Sequence, residues 1–314
     1  MDNIRFSDKV YIYIVDFLGM GKLRFIYNLK FIKNFWDYYL VRLKFIKKTT
    51  LHLNNGVDFI FSNDKLKELS ILNKEFELKK AGFKISKVED KILLESSGLK
   101  FIIKTNVELD VIMSNLNVIL ENFVQNQYGW LNSDGKVVVD IGANIGDTAI
   151  LFSKIKKAKK VIAFEPYPYS YSIAKRNINL NKLKNVILLN EAVGGESGYL
   201  KVDSTFQNTG SDIIRSFSSG KRIKVVTLKS VVDKYKINEG ILKMDCEGCE
   251  YSIILNASNE TLRKFKQIML ECHHGYLNIK RKLEEAGFKV ETSRPVYSKH
   301  ENKVINICMA QLAS

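Results

Sequence analysis

The spacing of apolar residues changes character twice along the chain. In residues 1–48, Phe25, Ile26, Leu29, Ile32, Phe35, Trp36, Tyr39, Leu40, Leu43 and Ile46 recur at three- and four-residue steps. That period predicts helix with one apolar stripe. Residues 49–127 carry shorter, alternating runs. Apolar segments at 51–53 and 57–61 flank Asn54-Asn55-Gly56, which predicts a hairpin. A helix is expected over 63–80, a three-strand meander over 83–88, 91–95 and 99–104, and an amphipathic helix over 109–123. From residue 136 onward compact apolar runs alternate with amphipathic ones. Strands are expected at 137–141, 160–165, 185–190, 221–228, 240–245 and 267–271, with helices at 169–181, 229–235 and 277–286. Residues 289–292 and 303–310 make a closing pair of strands. Alternation of this kind predicts a parallel α/β sheet. Residues 195–220, rich in glycine and serine, are expected to be a loop near the site, with a short strand at 199–202.

The organising stretch is Val137-Val138-Val139-Asp140-Ile141-Gly142-Ala143-Asn144-Ile145-Gly146-Asp147. Three β-branched residues in a row suit a strand covered on both faces. Gly142 permits a sharp turn and close backbone approach to a ligand, and Gly146 would let the following helix pack close against the strand. The second apolar strand ends in Glu165. That acid follows the glycine turn at roughly the spacing at which a carboxylate accepts hydrogen bonds from a ribose diol. A pyrophosphate cradle favours G-x-G-x-x-G at an electropositive helix start. Asp140 before Gly142 would repel phosphate and suits a cationic nucleoside. S-adenosylmethionine carries an ammonium and a sulfonium and no phosphate, and is preferred to a nicotinamide cofactor.

The composition is that of a soluble, globular protein with a sizeable core. The 314 residues, 46% of them hydrophobic, are enough for two domains or one large domain with an appendage. No apolar run reaches membrane-spanning length, and no secretory signal is evident, so a cytoplasmic location is expected. Four cysteines do not amount to a disulfide framework in a chain of this size. The net charge of +15 allows an anionic partner, but the lysines are spread along the whole chain. The basic aromatic segment 1–48 keeps peripheral contact with the inner face of a membrane open, against the plainer alternative that its stripe packs on protein.

Four motifs in order resemble the FkbM-type methyltransferase family of the seven-strand, S-adenosylmethionine-dependent class. They are Asp140-Ile141-Gly142-Ala143-Asn144-Ile145-Gly146-Asp147; Ala163-Phe164-Glu165-Pro166-x-Pro168 with Asn177 and Asn181; Asn190-x-Ala192-Val193-Gly194; and Lys243-Met244-Asp245-Cys246-Glu247-Gly248-x-Glu250. One departure is Leu228-Lys229, where the family usually has an acid after the leucine. The resemblance runs from about Tyr128 to the C-terminus. It implies a Rossmann-like α/β sheet, mostly parallel with the last strand antiparallel. The chain then divides into a basic helical segment (1–48), a small mixed α+β region (49–127) and a methyltransferase domain (128–314).

The cofactor-binding residues so implied are Asp140, Gly142, Ala143, Asn144 and Gly146 at the methionine end, Glu165 with Pro166 at the ribose, Glu191 and Ala192 at the adenine, and Asp245 beside the sulfonium. The activity implied is O-methylation of a small molecule, sugar or lipid-linked glycan.

Methylation of an alcohol requires alignment and removal of a proton. Asp245, Glu271 and His273 are the catalytic candidates at the sheet's carboxyl edge, with His274 as the rival base. Asp245, Glu271 and His273 could also ligate a divalent cation, though none is predicted. Glu247 and Glu250 are expected to cap the next helix rather than bind metal. Zinc at Cys246, Cys249, Cys272 and His273 is disfavoured, because the spacing is looser than standard zinc sites. Two other functions compete. A nucleic-acid methyltransferase rests on charge alone, and the acidic Asp245-Cys246-Glu247-Gly248 corner argues against it. A non-catalytic binding module is disfavoured by the presence of both Gly142 and Glu165.

Overall fold

The computed structural model describes residues 31–202, 220–298 and 303–313, which divide into two units, 31–125 and 126–313. In the first unit a helix, α1 (Phe35–Arg42), precedes the hairpin β1 (Lys48–His52) and β2 (Asp58–Ser62). These strands pair antiparallel, Leu51 opposite Phe59, around the expected Asn54-Asn55-Gly56 turn. The long helix α2 (Leu66–Lys80), the meander β3 (Lys84–Val88), β4 (Lys91–Ser96) and β5 (Leu99–Lys104), and helix α3 (Leu109–Phe123) follow.

The helical expectation for residues 1–48 holds only in part of what is described. Residues 1–30 lie outside the described residues. Beyond them helix α1 stops at Arg42, Lys44 turns with φ 65°, and Lys48 already begins a strand. Tyr38 and Val41 are buried with Leu51, Leu53 and Phe61 in the core of this unit, so tertiary burial ends the helix where the apolar period alone would continue it. Trp36 remains 70% exposed. Among the described residues no helix is long and apolar enough to cross a membrane.

The second unit is built on the expected sheet. Its elements in chain order are β6 (Val137–Ile141), a short helix α4 (Asp147–Ile150) that continues as a π-turn, β7 (Lys160–Phe164), α5 (Pro168–Leu180), β8 (Val186–Leu189), β9 (Ala192–Gly194), β10 (Gly198–Val202), β11 (Lys221–Thr227), α6 (Leu228–Tyr235), β12 (Gly240–Met244), α7 (Cys249–Asn256), α8 (Asn259–Leu262), β13 (Phe265–Cys272), α9 (Leu277–Glu285), β14 (Phe288–Thr292), β15 (Val296–Ser298) and β16 (Lys303–Leu312). The main sheet runs β14-β16-β13-β12-β6-β7-β8. Strands β8, β7, β6, β12 and β13 are parallel neighbours, and β16 runs antiparallel to both β13 and β14. This is the mostly parallel seven-strand sheet with one reversed strand.

Strand order turns at β6, which has β7 on one side and β12 on the other. Chain connections leave in opposite directions there, opening a crevice at the carboxyl ends of β6 and β12. Burial of Val139, Ile141, Ile162, Leu242 and Met244 keeps those strands rigid beneath it. One feature is absent from the sequence expectation. Strands β9, β10 and β11 form a separate three-stranded sheet in which β11 pairs parallel with β9 and antiparallel with β10. Residues 203–219 of the expected loop lie outside the described residues.

Candidate active site

The site is assembled from the turns that leave β6, β7, β12 and β13. At the end of β6, Gly142 has φ +82° and Gly146 has φ +83°. A Cβ on Gly142 would lie 1.8 Å from the Asp245 carbonyl oxygen, so only glycine lets this turn pass the end of β12. Gly146 meets Ala174 of helix α5, where a Cβ would be 3.1 Å from the Ala174 Cα. Its close approach is thus to a helix rather than to the strand. Asn144 also lies in the left-handed region, φ 47°, which asparagine tolerates better than most residues. Its Oδ1 is buried without a hydrogen-bond partner among the described residues. That is an acceptor available to a ligand in the crevice.

Asp140 is fully buried beneath this turn. It accepts a hydrogen bond from the Thr148 hydroxyl at 2.6 Å and pairs with Lys243 at 3.1 Å. Lys243 in turn donates to the Gly142 carbonyl at 2.7 Å. Burial opposes the Lys243 charge, but Asp140, Asp245 and Asp147 outweigh it and raise the ammonium above its ordinary pKa. Burial also raises the pKa of the Asp140 carboxyl, against the opposing pull of Lys243 and the Thr148 hydroxyl, and the pair fixes the turn from below. In the sequence Lys243 stands out only as part of a motif. Its partner could be recognised once β6 and β12 were known to be neighbours.

Glu165 leaves β7 facing the same crevice. Its Oε2 accepts the Asn144 N–H at 2.9 Å and its Oε1 accepts the Tyr167 N–H at 2.9 Å. Burial raises its pKa, the two backbone donors lower it, and the result is about 8. Asn190 donates to the carbonyls of both Glu165 and Pro166 at 2.9 Å, holding this corner in place. Asn177 donates to the Ile145 carbonyl at 2.9 Å, which ties helix α5 to the glycine turn. Glu191 precedes β9 and lies 4.0 Å from the Lys224 ammonium, and Ala192 is buried in the small sheet.

At the ends of β12 and β13 a second constellation forms. His273 is 2% exposed. Its Nδ1 is hydrogen-bonded to Glu250, and its Nε2 lies 3.3 Å from Glu247 and 3.9 Å from Asp245. Burial would lower the imidazole pKa, but Glu250, Glu247 and Asp245 more than reverse this and raise it to about 10. Glu250 also accepts the Gly248 N–H at 2.6 Å. His274 is different: it is exposed, with its ring beside Tyr251. Of these two histidines, His273 is the one held among three carboxylates.

Glu271 contributes elsewhere. Together with Asp245 and Asp140 it faces the buried Tyr128, whose phenol is pushed well above its usual pKa, by burial first and then by these acids. The Lys243 ammonium sits 5.6 Å from the Tyr128 ring centre. Among the described residues two groupings have metal-ligand geometry, Cys246 with Cys249 and Glu250, and Asp245 with Glu247 and His273, and neither contains Glu271.

The cysteines correct one expectation. Cys246 and Cys249 are joined as a disulfide, with Cα atoms 5.5 Å apart. The turn through Glu247 and Gly248, both at positive φ, folds the chain tightly enough to bring them together. Cys272 faces Cys308 across β13 and β16, with sulfurs 3.1 Å apart. Joined to each other, Cys246 and Cys249 offer no free thiolate to the zinc set considered from the sequence.

Residues 140–290 match the family model described as the methyltransferase FkbM domain. Methyltransferase 1 of Beauveria bassiana is 22% identical over 197 residues, covering 54% of this chain and 79% of that protein. The tRNA(Phe) (4-demethylwyosine(37)-C(7)) aminocarboxypropyltransferase of Methanocaldococcus jannaschii is 40% identical over 63 residues, 20% of this chain and 25% of that protein. Among solved structures, methyltransferase FkbM from Methylobacillus flagellatus shares 14% identity at a TM-score of 0.40, over 64% of this chain and 53% of that one.

Proposed function

Residues 140–290 are a methyltransferase FkbM domain, and from that premise we propose that the chain moves the methyl group of S-adenosylmethionine to a hydroxyl oxygen of a small molecule, sugar or lipid-linked glycan. The carrying observation is the acid-edged crevice at the β6–β12 switch point, which adjoins the buried cluster around His273.

In this reading Glu165 accepts hydrogen bonds from the ribose hydroxyls, with Pro166 shaping the corner. Glu191 and Ala192 flank the adenine. Gly142, Ala143, Asn144 and Gly146 leave room for the methionine end, and Asp140 holds their turn through Lys243. Asp245 lies beside the sulfonium, where a carboxylate favours positive charge. The acceptor oxygen attacks the methyl carbon in line, the carbon–sulfur bond breaks, and its electron pair stays on sulfur. Alignment of oxygen, carbon and sulfur can supply roughly 7–11 kcal/mol of barrier reduction.

The acceptor's proton passes to the cluster of Asp245, Glu247, Glu250 and His273. Its carboxylates make the cluster a place that can take up a proton. A nucleic-acid acceptor is disfavoured by Asp245 and Glu247, which place negative charge where a phosphate backbone would approach.

The test is transfer of isotopically labelled methyl from S-adenosylmethionine to a panel of sugars, lipid-linked glycans and small alcohols, with total tRNA as a parallel arm. Label in the first group is expected. Label carried only by tRNA would replace the acceptor class, and failure of S-adenosylmethionine to bind would remove the reading altogether.

A further inference from the structure

Asp245, Glu247 and His273 each present one ligand atom to a common space, all within 4.8 Å of one another. We propose that these three residues bind a divalent first-row transition cation, with Glu250 holding His273 in the ligating orientation. The inference rests on the methyltransferase reading for its role in the reaction, but not for its geometry.

The His273–Glu247 separation suits a single ion, and the Asp245 carboxylate lies a little farther off than ligand atoms on one ion do. Ligand atoms about 2.0–2.2 Å from one metal are about 3.0–3.8 Å apart for angles of 90–120°. Nε2 of His273 lies 3.3 Å from Glu247 and 3.9 Å from Asp245. Behind it, Nδ1 is bonded to the fully buried Glu250, itself fixed by the Gly248 N–H. A carboxylate on the far nitrogen is how metal-bound histidines are oriented in general. The Cys246–Cys249 disulfide closes the turn that carries Glu247, so the ligand loop is covalently restrained.

One imidazole with two carboxylates suits Mn²⁺, Fe²⁺, Co²⁺ or Zn²⁺ better than Ca²⁺, which takes six to eight oxygens. Three protein ligands leave coordination positions open, and one of them can take the acceptor's hydroxyl oxygen. A cation there lowers that hydroxyl's pKa. Its proton leaves by way of the carboxylates that line the site and passes from them to water, and the oxygen keeps the electron pair that forms the new bond to carbon. The sequence alone offers Glu271 for this set. Glu247 takes that place because the turn after β12 folds back over His273.

The experiment uses the full chain, stripped with a chelator and titrated separately with MnCl₂, ZnCl₂ and S-adenosylmethionine, with Mn²⁺ followed by electron paramagnetic resonance. One saturable Mn²⁺ or Zn²⁺ per chain is expected. Glu247→Gln and His273→Gln should abolish it, and Glu250→Gln should weaken it about 10–100-fold, with melting curves verifying that each variant folds. If His273→Gln does not fold, the partly exposed Glu247→Gln decides. No saturable binding, or unchanged binding in Glu247→Gln, overturns the site. If S-adenosylmethionine binds and no cation does, the metal site falls while the methyltransferase reading stands. The reverse pattern removes that reading and leaves the metal site.

Discussion

Lys243 stands directly opposite Asp140 in the parallel register of β12 and β6, and its ammonium lies 3.1 Å from the Asp140 carboxylate. Both side chains are buried. The same ammonium donates to the Gly142 carbonyl. This cross-strand pair holds the glycine turn in the shape that the crevice requires. Asp140 is thus a positioning residue in the proposed site, acting through the turn above it.

Lys243→Met leaves a carboxylate without its counter-charge in the core. Loss of about 3–5 kcal/mol of stability is expected in urea unfolding. The double variant Lys243→Met/Asp140→Asn should be more stable than Lys243→Met alone, because no unpaired charge remains. If the two losses simply add, the pair is not coupled as described.

Gly142→Ala places a methyl 1.8 Å from the Asp245 carbonyl oxygen and forces a non-glycine residue to φ +82°. The turn has to move away from β12. Calorimetry should show S-adenosylmethionine affinity reduced by more than tenfold, about 1.4 kcal/mol, and unchanged affinity would place the cofactor elsewhere.

Glu165 predicts a pH dependence of definite sign. Its folded pKa of about 8 lies above its ordinary 4.5. Its contribution to stability is therefore fully present below pH 4.5 and is lost as pH rises through about 8. Ribose hydroxyls donate to the ionised form, so cofactor affinity should rise over the same interval. Glu165→Gln should flatten both trends. Glu165→Ala should also weaken cofactor binding by about 1.5–3 kcal/mol, the range for hydrogen bonds to a charged group. A wild-type affinity that falls or stays level between pH 6 and about 8 would argue against a ribose contact at Glu165.

The disulfide is checked by counting thiols. Alkylation of unfolded, unreduced protein should label Cys272 and Cys308 and spare Cys246 and Cys249. Reduction should expose all four. Closing so short a loop contributes about 2 kcal/mol in the chain-entropy view, so reductant should lower the unfolding midpoint, and Cys249→Ser should be insensitive to it.

Much of the fold is legible in local pattern. The apolar runs at β6, β7, β12 and β13 announce strands buried on both faces, and the helix at Leu109–Phe123 has its expected ends. Glu165 and the Asp140–Gly146 turn are recognisable because each role depends on residue type at a fixed place along the chain. Where local period and tertiary burial compete, as after Arg42, period misleads. The strand Ala192–Gly194 is too short to signal itself, and it exists because β11 returns to pair with it.

The sequence by itself determined the alternation that makes a parallel sheet, the glycines that let the turn pass, and the acids at the strand ends, since these follow from side-chain shape and spacing along one segment. Only the tertiary structure decided that Lys243 answers Asp140, that Glu247 rather than Glu271 meets His273, and that Cys246 closes on Cys249. The first two relationships depend on which strands and turns become neighbours, and the third on how tightly the turn after β12 folds. Each is set by burial and backbone geometry across the whole sheet, which no single stretch of chain encodes.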